Sequence, residues 1–163
     1  MNALLVRAVL AFLAMPGIVA FLVPLWLATP RPLARPFDPG ALLALVPGTL
    51  LLLWCVREFY LAGRGTLAPW EPPRALVSTG PYRLSRNPMY IAVVLVLWGW
   101  AWGFRSRTLM VYSLAVMIAF HLRVVLGEEP WLARTFGEPW LDYKRRVPRW
   151  FGFAGRTAHR TED

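Results

Sequence analysis

Cysteine occurs once, at Cys55, and histidine twice, at His121 and His159, in a chain of 163 residues. A lone thiol excludes an intramolecular disulfide framework, and inside an apolar run it reads as a small core or lipid-facing residue. With so few soft ligands no set of side chains has metal or haem spacing, so no metal site is expected. Lysine is nearly missing too: of 18 cationic residues only Lys144 is a lysine. Arginine's planar fork suits carboxylates and phosphates, although a GC-rich genome would also favour it. Acids number nine, leaving a net charge of +9. Because the cations are interrupted by apolar spans, anionic lipid headgroups are their expected counterpart and nucleic acid is not. Neither an internal repeat nor a low-complexity tract is visible.

What the chain has is apolar length. It is 57% hydrophobic with a mean hydropathy of +0.45, and its nine tryptophans suit a boundary where an indole buries its ring and hydrates its N–H. Four apolar runs stand out: Leu4 to Ala28, Ala41 to Leu53 continuing toward Leu61, Ile91 to Phe104, and Leu109 to Leu126. About 20 residues cross a bilayer core, so an all-α membrane bundle of about four transmembrane helices is expected. The third run reaches that length only by starting near Pro88 and tilting little. Pro16, Pro24 and Pro47 predict kinks, tolerable where neighbouring helices satisfy the freed carbonyls. The first run reads as a span rather than a leader, being too long and lacking a convincing small-residue cleavage site. With four spans, the loop from Arg57 to Asn87 and the tail from Arg123 onward share one side and hold 13 of the 18 cations. The positive-inside rule turns that side to the cytoplasm, as in a bacterial inner membrane.

Three polar constellations fall on this side. Gly63-Arg64-Gly65 lets backbone N–H groups approach a ligand, but a tight turn at a helix end accounts for it equally. GPYRLSRNPMY at 80–90 stands at the threshold of the third run. Pro88 can start a helix and forces Asn87 out of helical geometry, while Tyr82, Tyr90, Arg83 and Arg86 suit an interface anchor. The anchor reading leaves the turn, the asparagine and the second tyrosine unaccounted for. Glu128-Glu129 can begin a helix, where acids and the following proline are welcome. Their side chains leave such a helix about 100° apart, so one can serve a ligand while the other pairs with Arg86 or Arg123. His121, seven residues before Glu128, falls on nearly the same face of a continuous helix and reads as a packed residue. The aromatic and basic stretch from Trp131 to Phe151 suggests amphipathic helical segments on the cytoplasmic membrane surface.

Taken together, GRG at 63–65, LVSTGPYRLSRNPMY at 76–90, EE at 128–129 and FGEPWLDYKRRVPRW at 136–150 resemble the isoprenylcysteine carboxyl methyltransferase and phospholipid methyltransferase superfamily of integral membrane enzymes. The resemblance implies methyl transfer from S-adenosylmethionine to a lipid, lipidated or small hydrophobic acceptor. It sets the cofactor against Leu76, Val77, Gly80, Tyr82, Arg86, Asn87, Pro88, Tyr90, Glu128 and Glu129. Arg86 is the candidate for its carboxylate, and Arg123 and Glu129 are the expected catalytic residues. In that superfamily the segment before the span usually reads R-H-P-x-Y, and here Asn87 replaces the histidine. An amide still makes hydrogen bonds but cannot act as an acid or base near neutral pH. Residues 1–152 are expected to form one membrane-embedded domain, with 153–163 a disordered tail. The competing reading is a non-catalytic membrane protein that binds anionic lipid or a protein partner.

Overall fold

The computed structural model describes residues 13–28, 36–61 and 75–151. Gly63-Arg64-Gly65, His159 and the tail 153–163 lie outside the described residues. Every regular element among those described is helical. Helix α1 begins in wide π-type turns at Leu13–Leu22 and continues as Val23–Ala28. A 3₁₀ turn at Pro39–Ala41 leads into α2, Leu42–Leu61. After a second 3₁₀ turn at Gly80–Arg83 come α3, Pro88–Gly103, and α4, Arg107–Arg123. A π-turn at Val124–Glu128 joins α4 to α5, Glu129–Phe136, and α6 follows at Glu138–Arg146.

Two continuous helical stretches, Pro39–Leu61 and Arg107–Phe136, are long and apolar enough to cross a membrane. Their outward faces carry Leu43, Val46, Leu50 and Leu53 on α2 and Met110, Val111, Leu114 and Ile118 on α4, all exposed. Lipid is the solvent that suits such faces. At 16 residues α3 is shorter than the roughly 20 needed to span the hydrocarbon core. It forms the centre of the bundle, with Ala92, Val93, Val96 and Leu97 buried against Ala20 and Leu52.

Small residues bring α2 and α3 together, as expected where lipid tails are no less apolar than side chains and close packing must drive association. A Cβ on Gly48 would stand 2.9 Å from Val96 Cγ2, and one on Gly99 would stand 2.6 Å from Leu45 Cγ. Pro24 within α1 is compensated by its neighbouring helices. Pro24 has no N–H, so neither an i−4 nor an i−5 carbonyl can be satisfied through it. Those carbonyls are Ala20 O and Val19 O. Trp100 Nε1 donates to the first at 3.0 Å and the Tyr112 hydroxyl to the second at 3.1 Å.

The polar segments collect at one end of the bundle, while the turn joining α3 to α4 marks the other. There Arg105, at φ 46°, pairs with Asp38 at 2.9 Å. One expectation is corrected. The apolar face of α6 does not lie on a membrane surface, since Trp140, Tyr143 and Val147 are buried against Leu76, Leu132, Ala133 and Phe136. Gly137, at φ 56° and ψ −129°, supplies the backbone conformation that folds α6 back onto α5, one that only glycine adopts without strain. The stripe is amphipathic as its sequence suggests, but it covers protein.

Candidate active site

The stretch GPYRLSRNPMY folds as a 3₁₀ turn, a short extended piece and the start of α3. Gly80, at φ 55°, packs so tightly on Glu58 that a Cβ would stand 2.8 Å from the Glu58 Cδ. Thr79 Oγ1 donates to the same carboxylate at 2.7 Å. Tyr82 is buried with Val77 and Cys55, its ring edge-on to Phe59. Asn87 has φ −130° and ψ 48°, out of the helical region as the following proline requires, and α3 begins at Pro88.

Glu128 ends the π-turn, Glu129 follows it, and the two side chains diverge. In an α-helix residues five apart stand about 140° from each other, whereas a π-turn bonds i to i+5 and stacks them. Arg123 and Glu128 are five apart, and Arg123 Nε donates to Glu128 Oε1 at 2.8 Å. The Tyr90 hydroxyl donates to the same oxygen at 2.5 Å and accepts from Arg123 Nε at 3.1 Å. The Tyr90 ring stacks on Phe120 with centroids 4.3 Å apart. This group is half open: the Arg123 and Glu128 side chains are 49% and 32% exposed. The same wide turn breaks the α-helical register that aligned His121 with Glu128. His121 Nδ1 instead accepts from Trp150 Nε1 at 3.3 Å.

Glu129 turns the other way and is buried. Arg149 grips it with two parallel bonds, Nε to Oε1 at 2.7 Å and Nη2 to Oε2 at 2.9 Å, and Lys144 Nζ stands 3.9 Å from Oε2. That hydrogen bonding raises the Arg149 pKa further. Arg86 Nη1 is also 2.9 Å from Glu129 Oε1, but off the line of its N–H bonds. Nε and Nη1 of this guanidinium, on a side chain 8% exposed, therefore make no hydrogen bond, and its carbon lies 5.5 Å from the Trp140 ring centre. Burial lowers the Arg86 pKa against the pull of Glu129. A buried guanidinium that shares one carboxylate with Arg149 and Lys144, and leaves two donors without hydrogen bonds, is costly, and a second anion would lower that cost.

Of the residues expected around a cofactor, Arg86, Tyr90, Glu128 and Glu129 therefore stand in two adjoining polar groups, with Arg123 in the more open one. Pro88 is buried at the start of α3, and Leu76 packs under Trp140 and Tyr143. Val77 and Tyr82 belong to a neighbouring apolar cluster with Cys55. The Tyr143 hydroxyl donates to Tyr82 O at 2.7 Å and so ties that cluster to α6. Burial raises the pKa of both phenols, keeping them neutral. The Asn87 side chain points to the C-terminal strap, with Nδ2 donating to Arg149 O at 3.0 Å. Ser85 and Arg149 were not singled out from sequence. Their signals are slight: a serine two residues before an asparagine, and a proline ahead of an arginine in VPRW. Among the described residues no group of three His, Cys, Asp or Glu side chains is arranged to hold a metal ion.

Comparison with known proteins identifies a family. The phospholipid methyltransferase family matches residues 40–139, which include α2, α3, α4 and both glutamates. The chain is 30% identical over 110 residues to the nickel-cobalt-cadmium resistance protein NccN of Alcaligenes xylosoxydans xylosoxydans, covering 68% of this chain and 47% of that protein. It is 33% identical over 102 residues to the cobalt-zinc-cadmium resistance protein CzcN of Cupriavidus metallidurans, covering 61% of this chain and 41% of that one. The chain thus spans less than half the length of each of these relatives. No solved structure matches it. By the extent of the family match, which takes in residues 80–90 and both glutamates, the chain belongs to the phospholipid methyltransferase family of membrane methyltransferases.

Proposed function

We propose that the chain is an S-adenosylmethionine-dependent methyltransferase acting on a lipid, lipidated or small hydrophobic acceptor. In this reading residues 1–152 form one membrane-embedded domain of about four spans in a bacterial inner membrane, with the polar end facing the cytoplasm. The observation that carries it is the family match over residues 40–139, which includes 80–90 and 128–129. The two resistance proteins are named for metals, and those names carry no weight beside the family match.

The residues present fit the cofactor. Its carboxylate suits the two idle donors of Arg86. Its ammonium and sulfonium suit the Glu128 carboxylate and the stacked faces of Tyr90 and Phe120. When bound, S-adenosylmethionine supplies a methyl group carried on a sulfonium. The chain's own task is positioning, because donor and acceptor must be in line and near van der Waals contact. Arg123, at the open edge of the Tyr90 group, is placed to hold an acceptor carboxylate or phosphate and orient it. An ionised carboxylate acceptor needs no base there, whereas an amine or thiol must lose a proton. Glu129, already held by Arg149, acts through the arginines that it orders.

Isothermal titration of S-adenosylmethionine and S-adenosylhomocysteine into the protein in lipid nanodiscs tests this reading. Binding that Glu128→Gln and Arg86→Gln weaken about tenfold or more is expected, each variant losing a charge-assisted contact. Binding indifferent to both substitutions removes this site from the proposal. No binding by a well-folded sample removes the cofactor and favours a lipid-binding role for the basic end.

A further inference from the structure

Arg86 and Arg149 share one carboxylate, but only Arg149 hydrogen-bonds it. Arg149 takes both oxygens of Glu129 in a parallel fork, while Arg86 is ion-paired alongside through Nη1 at 2.9 Å, with Nε and Nη1 making no hydrogen bond. Three cations, Arg86, Arg149 and Lys144, thus surround one anion in a largely buried group. The shortfall is one that an incoming carboxylate would reduce. Were Arg149 withdrawn, Arg86 could turn its fork onto Glu129 and its donors would no longer be available.

What holds Arg149 in place is its backbone. Arg149 O accepts from Ser85 Oγ at 3.1 Å and from Asn87 Nδ2 at 3.0 Å, and Pro148 O accepts from Arg86 N at 2.9 Å. Ser85 Oγ also accepts from Asn87 N at 3.1 Å, fixing the hydroxyl between the two. Pro148 keeps the preceding Val147 extended, at φ −121° and ψ 128°, so the strap leaves α6 in a set direction. The grip therefore comes from Ser85, Arg86 and Asn87, the tripeptide whose centre is Arg86 itself. The register of the strap and the placement of the idle guanidinium are set by the same three residues.

We propose that Ser85, Asn87 and Arg149 are positioning residues that keep Arg86 free for the carboxylate of the cofactor, with Asn87 acting as an N–H donor to the strap. This inference rests on the S-adenosylmethionine reading above. Under it Asn87 has no proton to exchange, and a histidine at this position would serve through a ring N–H.

The test is calorimetric and reads selectivity rather than turnover. S-adenosylhomocysteine and its decarboxylated analogue, which keeps the adenosine, thioether and amine, are titrated into nanodisc-embedded protein whose helicity is checked by circular dichroism. Wild type should prefer the carboxylate-bearing ligand by about tenfold or more. Arg149→Gln and Asn87→Ala should lose most of that preference while binding the analogue within about twofold of wild type. Asn87→His should retain it. Should Arg149→Gln fail to fold, Asn87→Ala carries the same comparison. Variants that keep the preference, or that weaken both ligands equally as a merely structural defect would, overturn the inference while leaving the cofactor reading intact. Wild type that binds neither ligand overturns both.

Discussion

Glu129→Gln is the substitution that most directly separates the two adjacent glutamates. The amide keeps the shape of the side chain and removes its charge, leaving two guanidiniums within 2.9 Å and an ammonium at 3.9 Å without a counter-ion. Removing one partner of a buried ion pair costs about 3–5 kcal/mol. Arg149 and Lys144 are 33% and 46% exposed, so water relieves part of that charge and the lower end, about 3 kcal/mol, is expected. For a chain of this size that corresponds to a fall in Tm of about 6–12 °C. Glu128→Gln removes a carboxylate whose partner is half exposed, and should cost less than about 1 kcal/mol. Thermal unfolding of both variants in nanodiscs, followed by tryptophan fluorescence, measures the difference. If Glu128→Gln lowers Tm as far as Glu129→Gln, or if Glu129→Gln leaves it unchanged, the division into one structural and one ligand-facing acid is wrong.

Three further outcomes are expected from the packing. Gly99→Ala would bring a Cβ to 2.6 Å from Leu45 Cγ and 3.1 Å from its backbone N, and should destabilise by about 1–3 kcal/mol. Gly127→Ala meets nothing within 4 Å and should be neutral or stabilising by up to about 1 kcal/mol, with thermal unfolding again the measurement. Trp100→Phe leaves Ala20 O without its donor, at a cost of about 1 kcal/mol. Amide exchange should then quicken in residues 20–28 and not in α2, whereas uniform exchange would argue against a local role.

Much of the architecture is legible one residue at a time. Pro88 starting a helix, Asn87 leaving helical geometry and polar segments meeting at one end all follow from local sterics and from the solvent that each run requires. The errors arose where a local pattern had two possible partners. The stripe Trp140, Tyr143, Val147 has the spacing of a helix face, but spacing does not say whether lipid or Leu76 and Phe136 will cover it. His121 and Glu128 align only if the helix stays α-helical, and the wide turn at Val124–Glu128 carries no plain sequence mark.

The candidate site divides in the same way. Arg86, Tyr90, Glu128 and Glu129 were visible because charged and aromatic residues beside apolar runs are costly without a purpose. Which arginine holds which glutamate was not visible. Arg149 reaches Glu129 across 20 residues, and its carbonyl is held by side chains 62 and 64 positions away. By itself the sequence determined that this is a helical membrane chain with arginines, tyrosines and acids flanking its apolar runs. Its apolar runs, prolines and charges impose that through the cost of taking charges and unpaired backbone out of water. Only the tertiary structure decided that Arg149 grips Glu129 with two parallel hydrogen bonds while Arg86 pairs with it from the side, its Nε and Nη1 making none. A carboxylate has two oxygens, and which guanidinium fills them depends on where the backbone delivers each fork.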